Sequence, residues 1–428
     1  MTWIQVAALL GAEYISLAIL SFPWSFSYLG IVGGILVTLV VQGIVIYTSM
    51  ILFRFCEQNP GVKHICDIGQ ILFGGHKIFY ELTMVGLLLN NLFIQALHCL
   101  TGSIMLNTLS GHTMCTIAFS GLIAIACAIA TLPRTFAQIS WLGWASALSI
   151  LVSVICSMVF VGIQGEPNGY TAARGPVHWS ASATTTDFIS VFNAVLNISY
   201  TLIGQICLPS FIADMKKPKD FPKALYSVAV VEMILMLTCG IYFYTQAGQF
   251  TKAPAIGSLK GNYAKIAYGL GFPAVIVIGV LYASVLCQFL YMRFTKNTRH
   301  ALDASAKGNT KKGWMIWTGL VFASWAVGFI IAECIPFFSD LLSVMSSLFD
   351  SFFGFIFWGV AYFHITPRHR WFKGKRGWLE GLFNILIIAI GVFILVVGTW
   401  ASVASIIRSY SSGAVGSPFS CADNGVAV

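Results

Sequence analysis

The sequence predicts an all-α integral membrane protein, and three observations lead to that class. Of the 428 residues, 57% are apolar and only 9% are charged, whereas a soluble domain carries roughly a quarter charged residues. About eleven stretches are apolar and long enough to cross ~30 Å of hydrocarbon as helices. The 24 Lys and Arg residues are divided unevenly between alternate loops. This pattern excludes an ordinary cytosolic enzyme, a disordered chain and a disulfide-stapled secreted module.

The predicted spans follow one another from the first residues almost to the C-terminus. They cover residues 3–29, 32–54, 77–109, 114–132, 138–163, 186–213, 224–247, 266–294, 314–333, 337–363 and 379–403. The residues after 403 are rich in Ser and Gly, a composition typical of flexible chain. We therefore expect one polytopic domain over residues 1–403 and a flexible tail over residues 404–428.

Basic residues orient these spans. One set of alternate loops holds 19 of the 24 Lys and Arg residues, and the other set holds 5. Because Lys and Arg concentrate in cytoplasmic loops, we expect a cytoplasmic N-terminus and, with an odd number of spans, an extracellular C-terminus. The net charge of +9 is thus a signal of topology in the lipid bilayer, and no nucleic-acid partner is expected.

The eleven cysteines do not indicate a metal site or a disulfide framework. None forms a Cys-x-x-Cys motif, and most fall within predicted spans, where a buried free thiol is the usual state. Cys334 and Cys421 are expected to share the outer side, which makes a bond between them the one candidate disulfide. No metal, cofactor or clustered catalytic group is expected, so the chain is not predicted to be an enzyme.

Two predicted spans carry polar and small residues directly before a proline. The first runs from Glu13 to Pro23, and the sixth runs from Asn193 to Pro209. Irregular backbone persists in a membrane only where it lines a cavity, so a pair of broken helices in corresponding halves indicates a transport site. The alternative for either span alone is a kink that serves only packing. A broken helix offers free N–H and C=O groups, which suit the carboxylate and ammonium of a zwitterionic amino acid.

Ionisable residues inside spans are candidates for proton coupling, because each is costly to place in a bilayer. Four such residues are candidates here: Glu13, His98, Glu232 and Asp350. The alternative for each carboxylate is a structural pair, and the alternative for His98 is a hydrogen-bonded packing histidine.

Five segments resemble fungal members of the amino acid/auxin permease family, within the amino acid–polyamine–organocation superfamily. They are AEYISLAILSFP at 12–23, VKHICDIG at 62–69, LTGSIMLNTL at 100–109, LPRT at 132–135 and DMKKPKDFPKAL at 214–225. The resemblance implies a five-plus-five inverted repeat, over residues 1–163 and 186–363, with helices 1 and 6 broken and an eleventh helix at 379–403. It also implies secondary transport, commonly driven by protons, of neutral amino acids.

The resemblance assigns the substrate to the two breaks, at residues 15–21 and 197–205. The implied binding residues are Ile15, Ser16, Leu17, Ala18, Ile19 and Ser21 in the first, and Asn197, Ser199, Tyr200 and Thr201 in the sixth. Helix position adds Asn91, Gln95 and Ser284 as further candidate contacts. Gln205 stands where relatives often carry a titratable His, and Ala18 stands where Gly is frequent.

The function predicted from these observations is neutral amino acid:proton symport by alternating access. Sodium-coupled symport, with the hydroxyl of Ser284 as one ligand, is an alternative coupling. A second alternative is an amino-acid sensor that uses the transporter fold. The expected partners are an amino acid, a coupling ion (a proton rather than sodium) and the lipid bilayer. The expected location is the plasma membrane, with the vacuolar membrane as the alternative.

Overall fold

The computed structural model describes residues 1–134, 140–296, 298, 310–412 and 417–424. These residues form helices joined by connections of which the longest described one covers residues 164–187, and no strand occurs among them. Three residues of the sequence analysis lie outside the described ones: Arg299 and Lys307, which belong to the 19 Lys and Arg residues of the predicted cytoplasmic loops, and Thr135 of the LPRT segment.

Fifteen α-helices follow one another along the described chain. They are α1 (Trp3–Tyr14), α2 (Phe22–Gln58), α3 (Ile65–Leu72), α4 (Lys77–Ser110), α5 (Thr116–Thr131), α6 (Ser140–Ile163), α7 (Phe188–Leu202), α8 (Leu208–Ala213), α9 (Phe221–Ala247), α10 (Gly261–Thr295), α11 (Lys311–Cys334), α12 (Phe338–Met345), α13 (Phe357–Ile365), α14 (Gly374–Phe393) and α15 (Thr399–Ser411). Shorter 3₁₀ turns occur at Leu17–Ser21, Ala172–Arg174, Pro218–Asp220, Gly248–Phe250, Ala255–Ser258 and Arg368–Arg370. Two π-helical segments, Ser346–Ile356 and Ile394–Gly398, interrupt the last two spans.

The helices have the length and composition of membrane spans. Eight described helical segments are long and apolar enough to cross a bilayer, and α5 and α7 are shorter apolar helices. On α5 the side chains of Leu122, Ile125 and Ile129 are exposed at a helical spacing. Such a stripe is unfavourable in water and favourable against lipid. The predicted class of an all-α membrane protein is confirmed.

The chain forms two compact, discontinuous units that do not coincide with the sequence halves 1–163 and 186–363. Unit 1 comprises Met1–Leu87, Met158–Lys260 and Ser339–Arg408, and unit 2 comprises Leu88–Ser157, Gly261–Phe338 and Ser409–Val428.

Unit 1 is built around α2, which packs against α7 and α9, while α1 also packs against α9. The last spans join the same core through a cluster of buried apolar side chains, namely Ile44, Leu196, Phe355, Ile387 and Ile394. A loop closes one end of this unit, since the N–H groups of Ile31 and Val32 donate to the carbonyls of Ser180 and Ala181 at 3.1 and 3.0 Å.

Unit 2 packs α5, α10 and α11 against one another. Two buried indoles cross-link α11 to the end of α5. Trp317 Nε1 donates to Leu132 O at 2.9 Å, and Trp325 Nε1 donates to Thr131 Oγ1 at 3.1 Å. The bond to Leu132 O supplies a donor for a carbonyl at the end of α5, where the helix itself offers none.

The predicted disulfide between Cys334 and Cys421 is wrong. Cys421 is bonded to Cys115, and Cys334 is a free and exposed thiol. The predicted fourth span began at residue 114 and so placed Cys115 inside the membrane. The helix begins at Thr116, however, and Cys115 is its N-cap residue, outside the helical turns.

Residues 417–424, part of the segment expected to be a flexible tail, are held against unit 2. Beside the disulfide, Asn424 Nδ2 donates to Ser103 Oγ at 2.9 Å and Asn424 Oδ1 accepts from Asn107 Nδ2 at 2.5 Å. Thr116 Oγ1 donates to Ala422 O at 2.6 Å. The side chain of Asn424 is consequently buried. One covalent bond and several hydrogen bonds thus offset the chain entropy that ordering this segment costs.

Candidate functional site

The first span is interrupted where the sequence predicted. Helix α1 ends at Tyr14, and Ile15 and Ser16 leave the helical region with ψ angles of 74° and 176°. A single 3₁₀ segment, Leu17–Ser21, follows, and its first residues are capped by Ser16, whose Oγ accepts from Ala18 N at 3.4 Å. Helix α2 then begins at Phe22 with Pro23 in its first turn. This first break presents the C-terminus of one helix and the N-terminus of another, as the proposed chemistry requires.

Each predicted residue of the first break has a defined surrounding. Ile15 and Ser16 are half-buried, and Ala18, Ile19 and Ser21 are buried. Leu17 contributes its backbone to the 3₁₀ segment, and its side chain lies outside the described part of the structure. The carbonyl of Ala18 accepts a hydrogen bond from Ser21 Oγ at 2.8 Å.

The sixth span is also interrupted, but later than predicted. Helix α7 continues to Leu202, and the irregular segment covers residues 203–207, before α8 begins at Leu208. The expected start of the break at Asn197 is therefore wrong. Asn197, Ser199, Tyr200 and Thr201 are all helical.

Side-chain hydrogen bonds explain why this polar run stays helical. Asn197 Nδ2, Ser199 Oγ and Thr201 Oγ1 each donate to the backbone carbonyl four residues earlier, at 2.9, 3.0 and 3.0 Å. Such back-bonding satisfies the polar atoms within the helix, so polarity alone does not interrupt it.

The two breaks lie against each other within unit 1. A Cβ built on Gly204, in the second break, would lie 2.6 Å from the Tyr14 ring, which ends α1. Thr201 Oγ1 lies 3.4 Å from Ala18 O, the carbonyl in the first break. Of the residues predicted to form one site, the structure thus brings Thr201 of α7 against Ala18 of the first break. Substrate binding by the predicted residues of both breaks stays a prediction.

Asn197 is the most completely held polar side chain of this group. It is fully buried, and its Nδ2 also lies 3.0 Å from Ser339 O and 2.8 Å from Ser343 Oγ, so that its two N–H donors are shared among these two acceptors and Asn193 O. Its Oδ1 is buried and has no hydrogen-bond partner in the described chain. A fixed, unused amide oxygen beside a broken helix is a suitable acceptor for an ammonium group.

Three of the predicted coupling residues lie in unit 1. Glu13 lies in α1 one residue before Tyr14 and is partly exposed. Asp350 lies in the π-helical segment, is 7% exposed and has a buried Oδ2 without a partner, and Tyr200 lies within electrostatic range of both Glu13 and Asp350. Glu232 lies in α9 and is 2% exposed. Their part in proton coupling stays a prediction.

The remaining predicted residues belong to unit 2. Asn91, Gln95 and His98 lie on α4, and Ser284 lies on α10; all four are buried. Three of their polar atoms have no hydrogen-bond partner in the described chain, namely Nε2 and Oε1 of Gln95 and Oγ of Ser284. The ring of His98 hydrogen-bonds the backbone of Val275 and packs against Gly279, while its Nδ1 is buried without a partner in the described chain. Its part in proton coupling stays a prediction. Substrate contact by Asn91, Gln95 and Ser284 stays a prediction.

Sequence reasoning missed Gln42, whose amide Nε2 donates to Glu232 Oε2 at 3.4 Å. Gln42 is the one amide in the stretch 32–46, where Thr38 is the only other polar side chain, and that isolation was the available signal. Among the described residues, no group of three His, Cys, Asp or Glu side chains is arranged to hold a metal.

Comparison with known proteins agrees with this architecture. The family model described as "Transmembrane amino acid transporter protein" matches residues 1–404. The chain is 32% identical over 423 residues to the "N amino acid transport system protein" of Neurospora crassa, covering 98% of this chain and 88% of that protein. It is 26% identical to a "Transmembrane transporter" of Gibberella moniliformis, covering 96% and 85% of the two chains. It is 22% identical to the "Amino acid transporter AVT1C" of Arabidopsis thaliana, covering 92% and 68%.

The family match covers nearly the whole chain, including both broken helices, and the resemblance noted in the sequence is confirmed. The protein is accordingly a multi-pass membrane protein of a family that transports amino acids, which agrees with the expectation that it is not an enzyme. The chain belongs to the transmembrane amino acid transporter family.

Proposed function

We propose that the protein is a secondary active transporter that carries a neutral amino acid together with a proton. The observation that carries this proposal is the contact between two broken helices, with Gly204 of one against Tyr14 of the other. Neither irregular segment, 15–21 or 203–207, contains a charged residue. A site made of backbone groups and uncharged side chains favours a zwitterion whose own side chain is neutral.

The proposed contacts follow from the local geometry. The substrate carboxylate binds at the start of the Leu17–Ser21 segment, where it replaces Ser16 Oγ as the acceptor from the Ala18 N–H, because a helix N-terminus attracts anions. The ammonium group is bound by the carbonyls at the end of α1 and by Oδ1 of Asn197, which is buried and without a partner. The substrate side chain lies towards Tyr200 and Thr201 of α7.

Proton coupling is tested with purified protein in liposomes. Labelled neutral amino acids are offered in sodium-free buffer under an imposed pH gradient, with and without a protonophore. We expect accumulation that the protonophore abolishes. Accumulation that requires sodium and ignores the protonophore would instead identify sodium coupling, and saturable binding without uptake would identify a sensor.

Specificity is tested by competition in the same assay. We expect unlabelled neutral amino acids to inhibit uptake and Lys, Arg, Asp and Glu to leave it within about twofold, because charged side chains find no counter-charge in the break segments. Inhibition by the charged amino acids at similar concentrations would contradict the neutral preference. An Asn197→Ala variant is expected to lower the apparent affinity by roughly ten- to a hundredfold, since a hydrogen bond to a charged group contributes about 1.5–3 kcal/mol.

We further propose that the N-terminus is cytoplasmic and that the C-terminus is extracellular in the plasma membrane, or lumenal in the vacuole. The bond between Cys115 and Cys421 supports this orientation, because both residues fall on the predicted outer side and disulfides persist in oxidising compartments. The free, exposed thiol of Cys334 is predicted to lie on the same side. A membrane-impermeant maleimide applied to intact cells is expected to label the wild type and to miss a Cys334→Ser variant. Labelling of Cys334 only after permeabilisation would contradict a plasma-membrane protein in this orientation.

A further inference from the structure

A buried acid and a buried amide face each other across α9 and α2 in unit 1. Glu232 is 2% exposed and Gln42 is 3% exposed, and Gln42 Nε2 donates to Glu232 Oε2 at 3.4 Å. The second carboxyl oxygen, Glu232 Oε1, is buried without a partner, and so is the amide oxygen of Gln42. Two acceptors therefore lie unused on the two halves of one pair.

A single proton satisfies both of these oxygens. A neutral carboxylic acid and a primary amide form a reciprocal pair, in which the amide N–H donates to one acid oxygen and the acid O–H donates to the amide oxygen. The first of these bonds is present, and protonation of Glu232 at Oε1 supplies the second, to Gln42 Oε1. A bare carboxylate at this place would retain an orphan oxygen in a buried environment, which is costly.

The groups around Glu232 favour a carboxyl that exchanges a proton over one fixed in an ion pair. Gln42 faces it from α2, and the phenol of Tyr14 lies within electrostatic range from α1. No cationic side chain of the described residues pairs with Glu232. A cation would hold the carboxylate permanently ionised, whereas an amide accepts either protonation state, since it donates to the ion and accepts from the acid.

Tyr14 connects this pair to the broken helices. Its ring lies against Gly204 in the second break, and its hydroxyl is buried without a partner. Tyr14 is the last residue of α1, so a rearrangement of the first break that displaces the end of α1 also moves its phenol relative to Glu232. Tyr14 thus contacts the second break at Gly204 and lies within electrostatic range of Glu232.

We propose that Glu232 and Gln42 form the proton-binding site of the transporter, with Tyr14 linking its occupancy to the two broken helices. Glu232 takes one proton from water on one side of the membrane, holds it as the acid–amide pair, and returns it to water on the other side as the carboxylate re-forms. The inference rests on the proposed function, since it names the group that carries the coupled proton.

The transport test compares Glu232→Gln with the wild type in liposomes loaded with a pH-sensitive dye. With labelled neutral amino acids, we expect the variant to lose at least about tenfold of the accumulation driven by a pH gradient, and to lose the accompanying acidification. Exchange of labelled for unlabelled amino acid at equal pH is expected to stay within about twofold of wild type, because exchange needs no net proton movement.

A matched control is Glu333→Gln, which removes another buried glutamate, in α11 beside Ser120. We expect this control to retain accumulation driven by the pH gradient. Accumulation and acidification by Glu232→Gln at wild-type levels would overturn the inference, because a permanently protonated structural acid is replaced by glutamine without loss. Absence of gradient-driven accumulation in the wild type would overturn the proposed function instead.

Infrared spectroscopy tests the acid directly, including the case in which Glu232→Gln does not fold. We expect the wild type to show a carboxylic-acid C=O band that disappears as pH is raised, and Gln42→Leu to move that band to higher frequency, because the amide hydrogen bond is lost. The Gln42→Leu variant leaves Glu232 in place, and its spectrum can be measured without a transport assay. A protein-wide spectrum in which no acid band responds to pH or to Gln42→Leu would overturn the assignment.

Discussion

The ring of Tyr14 occupies the space into which a side chain at Gly204 would project, with 2.6 Å between Tyr14 Cε1 and an ideal Cβ on Gly204. Tyr14 ends the first half of the first broken span, and Gly204 lies in the irregular segment of the sixth. The absence of a side chain at one residue therefore sets how closely the two interruptions approach.

A methyl group at residue 204 is expected to separate the two breaks. Gly204→Ala must displace the Tyr14 ring, which we expect to cost about 1–3 kcal/mol as overpacking and to lower uptake at least several-fold. Uptake is measured per mole of monodisperse protein in liposomes. The control is Gly121→Ala in α5, where an added Cβ meets no atom within 4 Å. Equal uptake by both variants would contradict a close approach of the breaks.

The kink at Gly30 is expected to be the least tolerant backbone position of α2. Gly30 has φ of +71°, and a Cβ there would lie 2.2 Å from Ser182 O in the loop that closes unit 1. Gly30→Ala should therefore lower the free energy of unfolding by at least about 2 kcal/mol, from strain and from loss of the loop contact. Thermal unfolding in detergent measures the effect.

Its control lies in the same helix. An added Cβ at Gly43 meets nothing within 4 Å, so Gly43→Ala is expected to be neutral or slightly stabilising. Equal thermal stability of the Gly30 and Gly43 variants would show that the loop does not lie against Gly30.

Loss of the disulfide is expected to release the C-terminal segment from unit 2. Cys421→Ser removes the covalent bond to Cys115, and we expect a loss of about 2–4 kcal/mol in stability together with protease sensitivity after residue 412. Cys334→Ser is the control, because that thiol is free. Identical proteolysis of both variants would mean that the hydrogen bonds of Asn424 hold the segment by themselves.

Acid is expected to weaken the contact between Asp187 and Arg408. Hydrogen bonds from the Ser190 hydroxyl, from Arg408 and from the Ser190 N–H hold the pKa of Asp187 below its ordinary range. A carboxyl with a lowered native pKa stabilises the fold above its unfolded value of about 4 and loses that contribution as pH falls through the native value.

The size of this contribution is expected to stay under about 1 kcal/mol, because the pair is partly exposed. Thermal stability of the wild type and of Asp187→Asn is compared between pH 7 and pH 3. The difference should be largest at neutral pH and shrink below pH 4; a constant difference would contradict a contribution from the ionised carboxylate.

The first broken span could be predicted from the sequence because its polarity and its proline act on the backbone. Ser16 takes an extended conformation and caps the 3₁₀ segment with its own hydroxyl. Asn197, Ser199 and Thr201 look similar in sequence, yet they bond to carbonyls within α7, so the second interruption begins only at Ile203. A polar side chain can cap a break, as Ser16 does, or bond back within a helix, as Asn197 does. For Asn197, the neighbours Ser339 and Ser343, far away in the chain, help to fix the amide in the second arrangement.

Other features depended on contacts that no local pattern encodes. The acid of Glu232 could be identified as an intramembrane carboxyl, but its partner Gln42 lies 190 residues earlier. The π-helical segment Ser346–Ile356 has the same apolar composition as an α-helix, although its hydrogen bonds follow a different register. Helix α5 begins at Thr116, two residues later than the predicted span. Because of this small difference, the prediction placed Cys115 inside the membrane and paired Cys421 with the wrong cysteine.

The bond between Cys115 and Cys421 joins two residues separated by 306 positions. During synthesis, Cys115 leaves the ribosome long before its partner exists, and Cys421 becomes available only after α15 has been made. The bond therefore forms only after all the residues between the two cysteines have been synthesised. A chain cut anywhere between them leaves Cys115 as a free thiol, so the oxidation state of Cys115 reports whether translation has passed residue 421.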